Sequence, residues 1–198
     1  MSTPLAQPAA RQLWPALRML LVLTALVGLA YPLALTGFAQ VAFPGRADGS
    51  LVEQDGEVVG SKLIGQSFDG EPQYFQSRPS AAGDGYDPLA SSASNLGPEN
   101  PDLIAAIEER RAAAAALDGT APSDVAPDAL LASGSGLDAY ISPTYAAQQV
   151  DRVARQRGVE PATVRSLVEK YTAGRVLGFL GEPGVNVLLL NLALDRLG

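Results

Sequence analysis

The stretch that decides the fold spans residues 19–45, which read MLLVLTALVGLAYPLALTGFAQVAFPG and carry no charged side chain. A bilayer core about 30 Å thick is crossed by roughly 20 apolar residues in a helix that rises about 1.5 Å per residue. In lipid, helix is the form in which a single segment satisfies its own backbone hydrogen bonds. The stretch therefore predicts a transmembrane helix, with a kink at Pro32, where one backbone hydrogen bond is lost.

The charges that flank this stretch predict its orientation. Arg11 and Arg18 are the only charged residues before it, and the first acidic residue comes later, at position 48. Because basic flanks stay in the cytoplasm, we expect residues 1–12 to form a cytosolic tail and residues 13–43 to span the membrane. Residues 46–198 then form one domain outside the cytoplasm.

A cleaved signal peptide is the alternative interpretation of the same region. Residues 37–39, Gly-Phe-Ala, offer small side chains near a possible cleavage point. The apolar core of such a leader is usually about 7–15 residues, and this run is longer, which favours a retained anchor. The first ten residues are small, polar or proline, and they predict a disordered tail.

Composition excludes several classes of function. The chain has no cysteine and no histidine, so it has no disulfide, no thiolate metal site, no cysteine nucleophile and no histidine base. The net charge is −7, and once Arg11 and Arg18 are set aside the remainder carries 12 basic and 21 acidic side chains. Such an acidic surface argues against nucleic acid as a partner.

The region after the membrane segment begins with β-type signals. Residues 50–60 contain two β-prone runs around Asp55-Gly56, which predicts a hairpin with a tight turn. We expect residues 62–68 to extend its second strand and Tyr74-Phe75 to form another short extended piece. Residues 81–97 are rich in Gly, Ser, Asp and Asn, and predict a long loop, which in a compact domain is typically a binding loop or disordered.

Helix signals dominate the second half. Asn100 and Pro101 predict a helix start, and the narrow apolar stripe that follows, to about Leu117, predicts a mostly exposed helix. Residues 118–128 are interpreted as a linker and residues 130–133 as a short strand. Ser142 is predicted to cap a helix that runs from Pro143 to Gly158. Further helices are predicted from Pro161 to Gly174 and, against a competing strand pattern, over residues 185–197. The fold class is thus one transmembrane helix followed by an α+β domain with a small sheet and several helices.

A search for catalytic or binding motifs is mostly negative. Ser61 and Lys62 are adjacent, and in a strand they point to opposite faces, so they do not form a nucleophilic dyad. Residues 134–136, Gly-Ser-Gly, lack the spacing and the lysine of a phosphate loop, which favours a plain turn over a nucleotide site. The carboxylates of Asp84, Asp87 and Asp138 are interpreted as solvated loop acids rather than ligands of a hard cation.

Several short blocks stand in a fixed order along nearly the whole chain behind the single N-terminal helix. They are 49–51 (GSL), 60–66 (GSKLIGQ), 74–75 (YF), 78–81 (RPSA), 94–98 (SNLGP), 135–138 (SGLD), 141–143 (ISP), 149 with 152–154 (Q, RVA), 180–183 (LGEP), 185–188 (VNVL) and 190–195 (LNLALD). Taken together and in this order, the blocks resemble the C subunit of the bacterial Kdp potassium-transporting ATPase. Two positions depart from that family's pattern, because Tyr140 stands where histidine is common and Gly184 where arginine is common.

The resemblance implies a non-catalytic subunit of an ATP-driven potassium importer in the cell inner membrane. Its implied partners are a channel-like potassium-binding subunit, a P-type ATPase subunit, a small single-helix subunit and membrane lipid. ATP and potassium act at the level of that complex, and no cofactor or metal is assigned to this chain itself. The family member is described as a catalytic chaperone that raises the ATP affinity of the ATPase subunit.

The resemblance links one residue, Gln149, to that effect on ATP. The predicted orientation places Gln149 outside the cytoplasm, across the bilayer from cytosolic ATP, so the interpretation of Gln149 as a polar helix residue at the surface of the domain competes with nucleotide contact. Two other classes stay open from the residues alone. One is a membrane-anchored extracytoplasmic binding or sensor module, and the other, disfavoured by the missing histidine and cysteine, is a secreted hydrolase.

Overall fold

The computed structural model of the protein describes residues 6–197, with side chains from Arg11 onward. The chain divides into two compact units between Leu51 and Val52. The first unit opens with helix α1 (Ala6–Leu23). Residues 6–10 of the predicted disordered tail are therefore helical, in keeping with the helix propensity of their alanines. Residues 1–5 of that tail lie outside the described part of the chain.

The apolar stretch is one long helical element. Helix α1 is followed by a π-helical segment (Thr24–Ala30), α2 (Tyr31–Ala42) and the short α3 (Pro44–Ala47). Between Arg11 and Ala42 the element has 32 residues, and the most apolar 18-residue window within it has a mean hydropathy of 2.1 and is not buried by the rest of the protein. Among residues 6–197 it is the one helix long and apolar enough to cross a membrane.

The hydrogen-bond ladder of this element is altered just before Pro32. The N–H of Tyr31 donates to the carbonyl of Leu26, five residues back, as in a π-helix. Proline lacks an N–H, and its ring crowds the carbonyl four residues earlier, here that of Gly28; a wider turn relieves both problems. The disturbance expected at Pro32 is therefore present in the ladder, while the size of the bend stays a prediction.

The second unit begins with the predicted hairpin, which is confirmed. Strands β1 (Leu51–Gln54) and β2 (Glu57–Ser61) pair in a two-stranded sheet. Asp55 and Gly56 adopt φ angles of 54° and 83°, as a tight hairpin turn requires. The predicted continuation of β2 through residues 62–68 is wrong, because the chain turns at once: the Leu63 N–H donates to Ser61 Oγ at 3.1 Å.

Helix α4 (Pro101–Asp118) follows the long loop, and its predicted start is confirmed. The Asn100 side chain accepts a hydrogen bond from the Asp102 N–H at 2.8 Å, and most of the helix is exposed, as expected. Residues 118–128 are not a simple linker. They form two 3₁₀ turns, Pro122–Asp124 and Pro127–Ala129, and Val125 and Ala126 between these turns are buried in the core.

The strand predicted at residues 130–133 is wrong, because the backbone N–H groups of Leu130 and Leu131 bond back to the carbonyl of Pro127. The second sheet is formed instead by β3 (Tyr140–Ile141), β4 (Thr172–Ala173) and β5 (Gly184–Asn186). It is antiparallel with β5 in the centre, and Val185 pairs with both Ile141 and Thr172.

Three helices complete the domain: α5 (Pro143–Arg157), α6 (Pro161–Lys170) and α7 (Val187–Asp195). The first has its predicted Ser142 cap and ends at Gly158 with φ 66°. The second ends at Lys170, earlier than predicted, because β4 follows. Residues 185–197 contain both competing patterns in succession, since β5 leads directly into α7 and the Asn186 side chain accepts from the Leu189 N–H at 3.1 Å.

The main core lies where α5, α6 and α7 meet β5. Side chains that are fully buried there include Val153, Val164, Leu190 and Leu194. A smaller cluster joins Val52 of the hairpin to Leu188 and Leu192 of α7. The predicted architecture, one apolar N-terminal helix followed by an α+β domain with a small sheet and several helices, is confirmed.

Candidate functional site

The most distinctive feature of the domain is an irregular segment, residues 72–76, whose backbone is bonded to side chains of α5 and α7. The Tyr74 N–H donates to the Glu71 carbonyl at 3.1 Å, so this segment begins as a turn, and the extended piece predicted at Tyr74-Phe75 is not a strand. The Phe75 N–H donates to Asn191 Oδ1 at 2.9 Å, and Asn191 Nδ2 donates to the Phe75 carbonyl at 3.0 Å. The next residue repeats the pattern with α5: the Gln76 N–H donates to Gln149 Oε1 at 2.6 Å, and Gln149 Nε2 donates to the Gln76 carbonyl at 3.3 Å. We call Gln149 and Asn191, with the backbone of Phe75 and Gln76, the amide clamp.

A buried ion pair, Arg152 with Asp118, contacts the amide clamp through Gln149. Arg152 Nε donates to Asp118 Oδ1 at 2.7 Å, and both side chains are almost completely buried. Arg152 also donates to Gln149 Oε1 at 2.6 Å, to the Tyr74 carbonyl at 2.8 Å and to the Pro72 carbonyl. A buried guanidinium is costly unless its donors are used, and here each of its three nitrogens has an acceptor. The Arg152 guanidinium therefore fixes the backbone at Pro72 and Tyr74.

The ion pair extends to the turns after α4. Asp118 Oδ2 accepts from Gln148 Nε2 at 2.7 Å, and Gln148 Oε1 accepts from the Ala126 N–H at 2.9 Å. Consecutive glutamines on α5 thus serve two different segments, since Gln148 binds the turns after α4 while Gln149 binds residue 76 of the segment 72–76. One network joins α4, α5 and the two segments, which explains why residues 118–128 pack into the core.

A second basic side chain of α5 also binds residues 72–76. Arg157, in the last turn of α5, donates from Nε to the Gln73 carbonyl at 2.8 Å and from Nη2 to Asp195 Oδ1 at 2.7 Å. Its guanidinium lies 4.8 Å from the centre of the Tyr74 ring, within the range of a cation–π contact. Five consecutive backbone positions are therefore held by three side chains of α5 and one of α7.

The sequence-predicted residue Gln149 lies inside this network and not on a surface. Its relative exposure is 0 %, and both atoms of its amide group are engaged. It occurs on the same buried face of α5 as Val150 and Val153, which carry the apolar stripe that predicted the helix. In this position Gln149 organises backbone and has no open path to a ligand.

Three tyrosines near the network have pKa values above the ordinary range. Burial is the main cause at Tyr145 and Tyr74, and at Tyr74 the carboxylate of Asp195 adds to it. Burial also raises the pKa of Tyr86 to about 12, and its hydroxyl donates to the Arg78 carbonyl at 2.6 Å. All three phenols are neutral at physiological pH, and their raised pKa values are unlike the lowered pKa of an activated nucleophile.

The other residues weighed in the sequence have structural surroundings. Asp138 pairs with Arg78 at 3.2 Å, and Asp87 Oδ1 accepts from the Leu89 N–H at 2.8 Å. Gly136, in the Gly-Ser-Gly turn, has φ 68°, and a Cβ at this position would lie 2.6 Å from the carbonyl oxygen of Ser92. Ser135 accepts from Ser92 and Ser91, so the turn binds the long loop at residues 81–97.

The long loop itself is ordered by hydrogen bonds within the domain. Ser80 Oγ accepts from the N–H groups of Ala82 and Tyr86 and donates to the Gly136 carbonyl at 2.6 Å. Asp84 lies at the edge of a cavity of about 410 Å³ beneath this loop, together with the side chains of Arg78 and Arg110. Within residues 6–197, no three carboxylates lie close enough together to hold a metal ion.

A larger cleft of about 750 Å³ lies beside the second sheet. Its apolar wall includes Leu131 and Ile141, and its rim includes Asp128 and the Arg78–Asp138 pair. Asp128 is itself engaged, because its carboxylate accepts from the Ser142 N–H and hydroxyl at 2.6 and 2.9 Å. Asp128 therefore supports the start of α5, and Asp138 is held by Arg78.

Sequence reasoning missed most of the network, although two signals were present. Asn191 interrupts an otherwise apolar run, Val187 to Leu194, and a polar residue inside a buried helix usually has a specific hydrogen-bond partner. Arg152 similarly stands next to the apolar stripe of α5. Their partners, residues 72–76 and Asp118, lie 34 to 116 positions away in the chain, and no local pattern identifies them.

Fold and site together define a membrane-associated protein with one candidate spanning helix and a domain whose internal polar groups serve its own architecture. Residues 13–196 match the family K+-transporting ATPase, c chain, KdpC. The chain belongs to this family, as its resemblance to the Kdp C subunit predicted.

Three relatives of the same description are similar to this chain over most of its length. The Potassium-transporting ATPase KdpC subunit of Kineococcus radiotolerans is 64 % identical over 184 residues, 93 % of each chain. The proteins of the same description from Sorangium cellulosum and Methylococcus capsulatus are 57 % and 54 % identical, over 91 % and 92 % of this chain and 95 % and 96 % of theirs. The similarity therefore extends through both units of the chain.

Proposed function

We propose that this chain is the non-catalytic subunit that assembles and stabilises an ATP-driven potassium importer. Its partners in this proposal are a channel-like potassium-binding subunit, a P-type ATPase subunit and a small single-helix subunit. The observation that carries the proposal is the family match over residues 13–196, which includes the apolar helix as well as the domain. A buried network in which all three nitrogens of the Arg152 guanidinium are bonded within the domain supports a scaffolding role over a catalytic one.

Co-purification from membranes tests this assignment. Affinity capture of the full-length chain in mild detergent should recover two large polytopic proteins in fixed proportion, together with potassium-stimulated ATP hydrolysis. Recovery of the chain alone, in a single monodisperse species, would instead support the alternative of a membrane-anchored binding or sensor module.

The proposal includes a topology in the cell inner membrane. Residues 1–12 are cytoplasmic, residues 13–43 span the bilayer, and residues 46–198 form the extracytoplasmic domain. Arg11 and Arg18 support this orientation, because they are the only charges before the apolar stretch. Protease added to intact spheroplasts should digest the domain, and a domain that is degraded only after the membrane is broken would reverse the orientation.

In this proposal Gln149 affects the ATP affinity of the ATPase subunit only indirectly. Gln149 has no exposed surface and its amide is occupied by Gln76 and Arg152, which supports a role in maintaining the domain rather than in binding nucleotide. The full-length chain, in detergent and without partners, should not be labelled by a photoreactive ATP analogue. Labelling that Gln149→Ala abolishes and Gln156→Ala preserves would establish direct contact, since Gln156 is an exposed glutamine on the same helix.

A further inference from the structure

The loop between β4 and β5 forms a small hairpin with an apolar tip. Val176 and Leu180 pair as an antiparallel bridge, and each N–H donates to the other residue's carbonyl at 2.9 Å. Arg175 and Glu182 form an ion pair at 2.7 Å across its base. These cross-links give the loop a defined shape. We call residues 175–182 the arm.

The tip of the arm exposes four large apolar side chains. The relative exposures of Val176, Leu177, Phe179 and Leu180 are 66, 80, 69 and 49 %. None of them belongs to either apolar cluster of the domain. Single exposed apolar residues are ordinary, whereas a contiguous group on a projecting loop is typical of an interaction surface.

The backbone conformation at the tip is one that a large side chain such as leucine rarely adopts. Leu177 has φ 55° and Gly178 has φ 83°. In a turn exposed to water, the first of these positions favours Gly, Asn or Asp, because a large side chain is strained there. A leucine that is both strained and exposed therefore indicates that its side chain is needed for a contact outside the domain.

Charge and side-chain chemistry distinguish a protein partner from a lipid surface. The only charges in the arm, those of Arg175 and Glu182, neutralise each other. The arm has no Lys, Trp or Tyr, the residues that anchor loops at a membrane interface. Residues 46–198 carry 12 basic and 21 acidic side chains, and an anionic lipid surface repels a domain with this net negative charge. A neutral apolar tip matches an apolar pocket in a protein.

The size of the tip shows what kind of contact it makes. Side chains of this size offer up to roughly 200 Å² each, so at these exposures the four provide roughly 500 Å². A free-standing interface buries about 800 Å² on each partner. The tip is therefore too small to hold two copies of the chain together by itself, and it suits an additional anchor in an assembly that is already held elsewhere.

We propose that the arm inserts Leu177 and Phe179 into an apolar pocket on another protein subunit of the transporter, on the same side of the membrane as the domain. This inference rests on the proposed function, because it takes its partner from the complex. In this arrangement the ion pair and the bridge hold the tip rigid, so that little conformational entropy is lost on docking.

The test uses the double variant Leu177→Asn with Phe179→Ser in the complete complex. Asparagine tolerates the positive φ, so the isolated chain should fold with at least wild-type stability. The variant chain should nevertheless dissociate from the complex at least tenfold faster during a detergent wash. The matched control is Leu89→Asn, a change at a 96 % exposed leucine in the long loop, which should leave dissociation unchanged.

Equal dissociation of the double variant and the wild type would overturn the inference while leaving the proposed function intact. If the wild-type chain recovers no partner at all, the proposed function fails instead. Lipid is tested separately: the chain has no native cysteine, so Leu177→Cys accepts a single environment-sensitive fluorophore. Its emission should stay water-like when the chain alone is placed in phosphatidylcholine or phosphatidylglycerol vesicles and shift to the blue only in the complex, whereas a blue shift without partners would assign the tip to lipid.

Discussion

Removal of the Gln149 side chain tests whether the amide clamp stabilises the domain. Gln149→Ala deletes the acceptor used by the Gln76 N–H and by Arg152 Nη2, both at 2.6 Å. These donors lie in the buried core, where each unsatisfied group costs about 1–3 kcal/mol, and more when the group is charged. The loss of two acceptor contacts therefore predicts a decrease of about 2–5 kcal/mol in the free energy of unfolding. For a domain of this size, that corresponds to a melting temperature lower by about 5–15 °C.

The measurement is denaturant unfolding of the full-length chain in detergent, followed by circular dichroism. Gln156→Ala is the matched control, because it removes the same side chain from an exposed position on the same helix, and it should change stability by less than about 0.5 kcal/mol. If the two variants unfold at the same denaturant concentration, the amide clamp does not contribute to the stability of the domain. The proposal that Gln149 affects ATP affinity indirectly, by maintaining the fold, would then be wrong. In the assembled complex, Gln149→Ala should lower the ATP affinity of the ATPase subunit only to the extent that it reduces the amount of this chain that is folded.

Three further predictions concern other contacts of the domain. Asp118→Ala leaves the Arg152 guanidinium buried without a counter-charge and should cost about 3–5 kcal/mol by denaturant unfolding. Gly136→Ala should cost about 1–3 kcal/mol and speed proteolysis of residues 81–97, whereas Gly134→Ala, where a Cβ meets nothing within 4 Å, should be neutral. The pKa of Tyr86 is raised to about 12 from 10 in the unfolded chain, so its contribution to stability is complete below pH 10 and declines as the pH rises through 12. Tyr86→Phe should flatten this alkaline decline and cost about 1 kcal/mol at pH 7 through the lost bond to the Arg78 carbonyl, both measurable by urea titration across pH.

The accuracy of the sequence-based predictions follows the range of the interactions involved. The Asp55-Gly56 turn and the caps at Asn100 and Ser142 depend on residues within three positions of each other, and all three were predicted correctly. The strands predicted at residues 62–68 and 130–133 were wrong, because β-prone composition does not show whether a partner strand is available.

Sequence by itself determined the apolar helix, the capped helices and the family, since each depends on a continuous local pattern or on blocks in a fixed order. Only the tertiary structure decided what surrounds Gln149, because its partner Gln76 is 73 positions away and no periodicity relates the two. The same holds for the clamp at Asn191 and the ion pair of Arg152 with Asp118, which form once α4, α5 and α7 have packed. Buried polar groups take their partners from whatever backbone the fold brings within about 3 Å, and that proximity is a property of the packed chain.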